Sequence, residues 1–154
     1  MKSKDHQSNF KKSLTALPTL YKLAFLTGAI GLGFSVFLAY IYYAHIFYLP
    51  ATSIEAARYI ASTHSVAMTF FTLSFSLGLI ALLNYKDGLS FKLMLASTAT
   101  ALLGYLPPSE RLWRLGYTNS LNETIAIAIV HVALLTTSAT LLNKALKRNK
   151  DVPI

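Results

Sequence analysis

The 154-residue chain contains no cysteine. That absence excludes disulfides, thiolate zinc sites, iron–sulfur clusters, covalently attached c-type haem and thiol nucleophiles, and leaves any metal or cofactor to histidine, carboxylate or backbone groups. Charge is scarce as well: Asp, Glu, Lys and Arg make up 13% of the residues, about half the share of an ordinary soluble domain. The signatures of soluble enzymes are missing, with no Gly-x-Ser-x-Gly, no His-Glu-x-x-His and no phosphate-binding glycine loop. Carboxylates are absent from the long apolar stretches, which counts against a carboxylate-based proton pump or cation carrier.

What the chain has is apolar surface. Hydrophobic residues make up 54% of it, more than a water-soluble domain of this size can hide. Four stretches lack charge for about the 20 residues that a helix needs to cross the hydrocarbon core: Leu23 to Ile54, Tyr59 to Tyr85, Leu93 to Ser109 and Thr124 to Asn143. The third is the weakest, since it needs Lys92 to snorkel at one end and Pro107-Pro108 is expected to stop it at the other. The fold class expected is all-α, an integral membrane four-helix bundle in up-down-up-down order. Its helical domain covers 21–146, with spans at about 23–48, 58–84, 89–106 and 123–143, between low-complexity basic tails at 1–20 and 147–154. A cleavable signal peptide is the competing reading of the first stretch, but that stretch is longer than an h-region of about 7–15 residues and no small-x-small site closes it.

Lys and Arg set the orientation. Lys2, Lys4, Lys11, Lys12 and Lys22 precede the first apolar run, Lys86 and Lys92 flank the connection between the second and third, and Lys144, Lys147, Arg148 and Lys150 follow the fourth, eleven in all against three on the other side, Arg58, Arg111 and Arg114. By the positive-inside rule both termini are cytoplasmic in a multi-pass protein of the cell membrane. Tyr42, Tyr43, Phe47, Tyr48, Tyr105, Trp113 and Tyr117 supply an aromatic belt for the outer boundary. The net charge of +8 brackets the apolar runs and forms no continuous stripe, so it points to topology and anionic lipid headgroups, with no nucleic-acid partner. The longest loop expected is Pro108–Leu121, either an amphipathic turn or two on the membrane surface or a solvated connection. Small residues four apart, Ala29/Gly33, Ser74/Gly78 and Ala96/Thr100/Gly104, and the Gly28, Gly31 and Gly33 set, are expected to pack helices within the bundle.

Ionisable groups at membrane depth are rare and costly, so the histidines are the candidate functional residues. His6 lies in the basic tail. His64 falls about seven residues inside an outer boundary near Ala57, and His131 about eight inside one near Glu123. At 1.5 Å per residue both are expected very roughly 10–13 Å deep, on two helices running in the same direction at diagonal corners of a bundle. Two neutral imidazoles facing a bundle axis at one level are what a b-type haem requires. Ala61, Ser65 and Ala67 beside one histidine, and Ala128 and Ala133 beside the other, leave room for a macrocycle, while Arg58, Arg111 and Arg114 lie where propionates end. On these two histidines and the topology, the arrangement resembles that of four-helix membrane cytochromes b. The resemblance implies a redox subunit holding one haem b near the outer face, since the inner half has no histidine, with a quinone or another membrane subunit as electron partner.

Two other readings stand beside it. His45, near the outer end of the first span, can join His64 and His131 in a three-His metal site, with Glu55 or Glu123 adding an oxygen ligand. Alternatively the chain is a non-enzymatic accessory or assembly subunit or a small transporter, in which His64 and His131 hydrogen-bond to Ser and Thr groups such as Thr63, Ser65, Thr136 and Ser138.

Overall fold

The computed structural model describes residues 18–48 and 53–150. The expectations placed on the far tails, His6 among them, lie outside the described residues. Within them the chain forms four helices, α1 (Thr19–Tyr48), α2 (Ile54–Leu83), α3 (Leu89–Arg114) and α4 (Thr118–Lys150). Each is long and apolar enough to cross a membrane.

Local chemistry marks the helix ends. Ser53, in extended backbone, caps α2 by accepting from the Ala56 N–H at 3.1 Å, and Glu55 places negative charge in the first turn. The α2–α3 turn closes on Asp87, whose carboxylate accepts from the Leu89 N–H at 3.2 Å.

The end of α3 departs from expectation: the helix does not stop at Pro107-Pro108 but runs through both prolines to Arg114. Two prolines remove only two backbone donors, and a helix in a bundle tolerates that where neighbouring helices hold it. The residue that does end α3 is Gly116, at φ +75°. Its N–H bonds Trp113 O at 3.1 Å and the next N–H, of Tyr117, reaches back to Leu112 O at 3.0 Å, a Schellman closure that only glycine makes without strain. The connection to α4 is therefore three residues, Leu115–Tyr117, and the expected long loop is helix on both sides of it.

The helices pack in a closed ring, α1 on α2, α2 on α3, α3 on α4 and α4 on α1. Tyr21, early in α1, meets Tyr85 just after α2 with ring centres 5.0 Å apart, and Tyr42, late in α1, meets His64 in the first half of α2 at 5.1 Å. The inward faces follow a three-four spacing, Tyr21, Ala24, Gly28, Leu32, Ser35 and Leu38 on α1 and His64, Ala67, Phe71, Ser74, Gly78 and Ala81 on α2. Two apolar clusters result, one around Leu32, Leu82, Met94 and Leu135, the other around Leu38, Phe71 and Tyr105. The outward faces carry Leu26, Phe37, Leu83, Leu106 and Ile129, all exposed on the isolated protein and suited to lipid contact.

Small residues set the helix spacing at most of the expected positions. A Cβ on Gly78 would run into Leu32 and lie 2.9 Å from Ser97 Oγ; one on Gly104 would sit 3.0 Å from the Phe71 ring. Gly28 and Gly31 face Ser138 and Leu135 in the same way. The Ala29/Gly33 pair is a correction: both residues are exposed, and a Cβ on Gly33 would meet nothing within 4 Å, because the two lie on the face of α1 opposite Ala24, Gly28 and Leu32.

Candidate functional site

The two buried histidines mark two polar sites at different levels. The deeper one surrounds His131, which is fully buried. Its Nε2 lies 2.9 Å from Ser35 Oγ on α1, and its Nδ1 lies 2.9 Å from the Tyr105 hydroxyl on α3. Ser35 Oγ is 3.5 Å from Ser74 Oγ, and Ser74 and Ser97 each donate to the other's carbonyl, at 2.7 and 2.6 Å.

One direction satisfies every contact of this chain, the long Ser35–Ser74 one included. Ser74 and Ser97 have committed their hydroxyl hydrogens, so the Ser35–Ser74 contact requires Ser35 to donate. His131 Nε2–H must then donate to Ser35, which leaves Nδ1 as the acceptor for Tyr105 O–H. Every hydroxyl hydrogen is used and all four helices are joined. The expected partners Thr63, Ser65, Thr136 and Ser138 are not those of His131: Thr63 bonds Tyr59 O within its own helix, Ser65 and Thr136 face outward, and Ser138 donates to Ala24 O.

The second site lies toward the end formed by the late residues of α1 and α3 and the early residues of α2 and α4. A half-enclosed cavity of about 340 Å³ opens there, within the usual size range of small-molecule sites. Its wall is mainly apolar, from Leu38, Ile41, Pro108, Leu112 and Leu115. Its charged and imidazole groups are Arg111, His64 and His45, the tyrosines Tyr42 and Tyr117 also line it, and no carboxylate does among the described residues. His64 is 93% buried, being 7% exposed, with Nε2 3.5 Å from the Arg111 guanidinium and Nδ1 without a partner. Because a guanidinium can only donate, the His64 nitrogen facing it carries the lone pair, and the unpartnered Nδ1 carries the proton. Thr63 and Thr124, also in the lining, direct their hydroxyl hydrogens to backbone carbonyls of their own helices. The cavity's one permanent charge is the Arg111 guanidinium, and no carboxylate among the described residues lining it offsets that charge.

Of the residues expected at a site, the structure gathers Arg111, His64 and His45, with the two imidazole rings 5.5 Å apart. Arg58 is exposed, and Arg114 pairs with Glu110 at 2.6 Å on the surface. His131 is not at the level of His64. On α1 their contacts, Ser35 and Tyr42, are seven residues apart, and on α3 Tyr105 and Arg111 are six apart, so at 1.5 Å per residue the imidazoles are separated by roughly 10 Å along the bundle. Unequal extension of the outer helix ends beyond the expected boundaries accounts for part of this, about 4–5 Å at 1.5 Å per residue: His64 is ten residues into α2 and His131 thirteen into α4.

Two histidines offset in this way, one with both nitrogens already bonded, do not fit one bis-imidazole iron, whose bonds to nitrogen are about 2 Å long. The three-His metal site does not assemble either: no group of three His, Asp or Glu side chains that could hold a metal occurs among the described residues, and Glu55 and Glu123 are exposed and away from the cavity. Sequence reasoning missed Ser35, Ser74, Ser97 and Tyr105. Their signal is phase, since each falls in the three-four spacing of its helix's inward alanines and glycines. Compared with known proteins, the chain matches no family model, no curated protein and no solved structure.

Proposed function

We propose that this is a multi-pass protein of the cell membrane, an up-down-up-down bundle with both termini cytoplasmic, that binds a small amphiphilic molecule in the cavity at its outer end. It belongs with the non-enzymatic binding, accessory or carrier proteins, and His131 is a packing histidine. The alternating direction is supported by the short connections and by the Tyr21–Tyr85 and Tyr42–His64 contacts at opposite ends of the α1–α2 pair. The orientation is supported by the eleven Lys and Arg on one side against three on the other.

The observation that carries the binding reading is the Arg111–His64 pair: a guanidinium with no acidic partner among the described residues beside an unpartnered imidazole nitrogen, set in a mainly apolar wall. A ligand with an apolar body and an accepting head supplies what the pair lacks. The test is thermal unfolding of the purified full chain with a panel of amphiphiles whose heads are anionic, neutral and cationic. Saturable stabilisation by at least one of them, removed when Ile41→Trp fills the cavity, is the expected result. Stabilisation by none contradicts the reading.

A further inference from the structure

We infer that the ligand of this cavity is a single-chain amphiphile with a carboxylate head, a medium- or long-chain fatty acid in chemical class, held by Arg111. The inference rests on the binding reading above and adds the identity of the head and the number of tails.

The head follows from the donors. Arg111 is half-buried, its guanidinium lies 3.5 Å from His64 Nε2, and it has no ion-pair partner among the described residues. Arg114, one turn away in sequence, shows the alternative: it is exposed and takes Glu110 as its partner. A partly desolvated cation without a counter-ion favours an anion from outside, and the planar fork of arginine matches the two oxygens of a carboxylate in bidentate geometry. A hydroxyl head could accept from Arg111 but would leave the guanidinium charge without a counter-ion. A cationic head would face Arg111 with no carboxylate nearby to offset the repulsion.

The tail follows from the wall and the size. Leu38, Ile41, Leu112 and Leu115 line the same cavity as Arg111 with aliphatic surface, and at about 340 Å³ it is near the lower limit for small-molecule sites. It accommodates a head and the first part of one chain, and the remainder of the chain leaves through the open side. A diacyl phospholipid, with a bulkier head and two chains branching from it, is a poorer match to this volume.

The experiment uses the full chain in nanodiscs of phosphatidylcholine, with empty nanodiscs as the partitioning control. Equilibrium dialysis with radiolabelled decanoate is run against decanol, decylamine, decyl phosphate and phosphatidic acid as competitors. Decanoate is expected to bind saturably at one site per chain, to be displaced by neither decanol nor decylamine, and to be displaced less well by decyl phosphate and by phosphatidic acid than by unlabelled decanoate. Arg111→Gln is expected to weaken decanoate at least about tenfold with the melting temperature unchanged, and Arg111→Lys to recover only part of the loss. Ile41→Trp, which leaves both polar groups in place, is expected to abolish binding, so the site remains testable if an Arg111 variant fails to fold. Saturable binding of decanol or decylamine in preference to decanoate overturns the carboxylate and leaves the binding reading intact. Preference for phosphatidic acid or decyl phosphate overturns it in favour of a phosphate head, and saturable binding of no probe overturns both readings.

Discussion

His131 and His64 are both buried imidazoles in an apolar bundle, and their partners give them opposite roles. Removing His131 leaves the Tyr105 O–H without an acceptor and the Ser35 oxygen without a donor, in the interior of a membrane protein where water does not compensate. His131→Ala is therefore expected to destabilise the protein by about 2–4 kcal/mol, the sum of a cavity and stranded hydrogen-bonding groups. This is read as a fall of several degrees in the melting temperature in detergent. Tyr105→Phe is expected to cost about 1 kcal/mol alone and clearly less in the His131→Ala background, since the two groups share one bond. His64 has only a long contact to Arg111 and borders space that is already open. His64→Ala is expected to change the melting temperature by less than His131→Ala does and to act on ligand binding instead. A larger loss of stability for His64→Ala than for His131→Ala contradicts this division. The individual histidines were visible in the sequence as costly residues at membrane depth, whereas their separation into two sites was not. Depth was measured from boundaries placed by charge, and hydrogen-bond partners come from other helices, where spacing along one strand of sequence carries no information about them.

At the scale of elements, glycine position decides what a methyl group does. On α2, Gly78 faces buried Leu32 and Ser97 Oγ, and Ser97 is itself tied to Ser74. Gly78→Ala is expected to push α2 from its neighbours and cost about 1–3 kcal/mol. On α1, Gly33 faces open space, so Gly33→Ala is expected to leave stability unchanged or raise it by up to about 1 kcal/mol through helix propensity. Comparing the two melting temperatures checks both, and equal effects would mean that the faces of α1 and α2 are assigned wrongly. Gly116→Ala, at φ +75°, is expected to cost about 1 kcal/mol by straining the α3 closure. The four helices themselves were legible, because uncharged runs of membrane length have no other stable form in lipid. The last two turns of α3 were not, since Pro107-Pro108 carries a strong local stop signal that tertiary packing overrides. The expected haem geometry depended on other ends, the starts of α2 and α4, which lie ten and thirteen residues before His64 and His131.

At the scale of the whole molecule, a polar tie spans the bundle's middle and a cavity holding Arg111 opens at one end. The tie, Tyr105–His131–Ser35–Ser74–Ser97, holds four helices whose outer surfaces are apolar and therefore gain little from hydrophobic association within lipid. The cavity sits where α1 and α3 finish and α2 and α4 begin, the end away from the concentrated Lys and Arg. Its ligand is thus expected to enter from the extracytoplasmic leaflet or medium, and this placement is the claim on which the functional reading depends.

The lack of cysteine makes that claim directly measurable, because any introduced thiol is the only one in the chain. Single variants Ser8→Cys, Gly88→Cys, Asn119→Cys and Asp151→Cys are labelled in intact cells with a membrane-impermeant maleimide, then again after permeabilisation. The account predicts that Asn119→Cys reacts in intact cells and that the other three react only once the membrane is opened. Labelling of Ser8→Cys, Gly88→Cys or Asp151→Cys in intact cells, or protection of Asn119→Cys there, would contradict it.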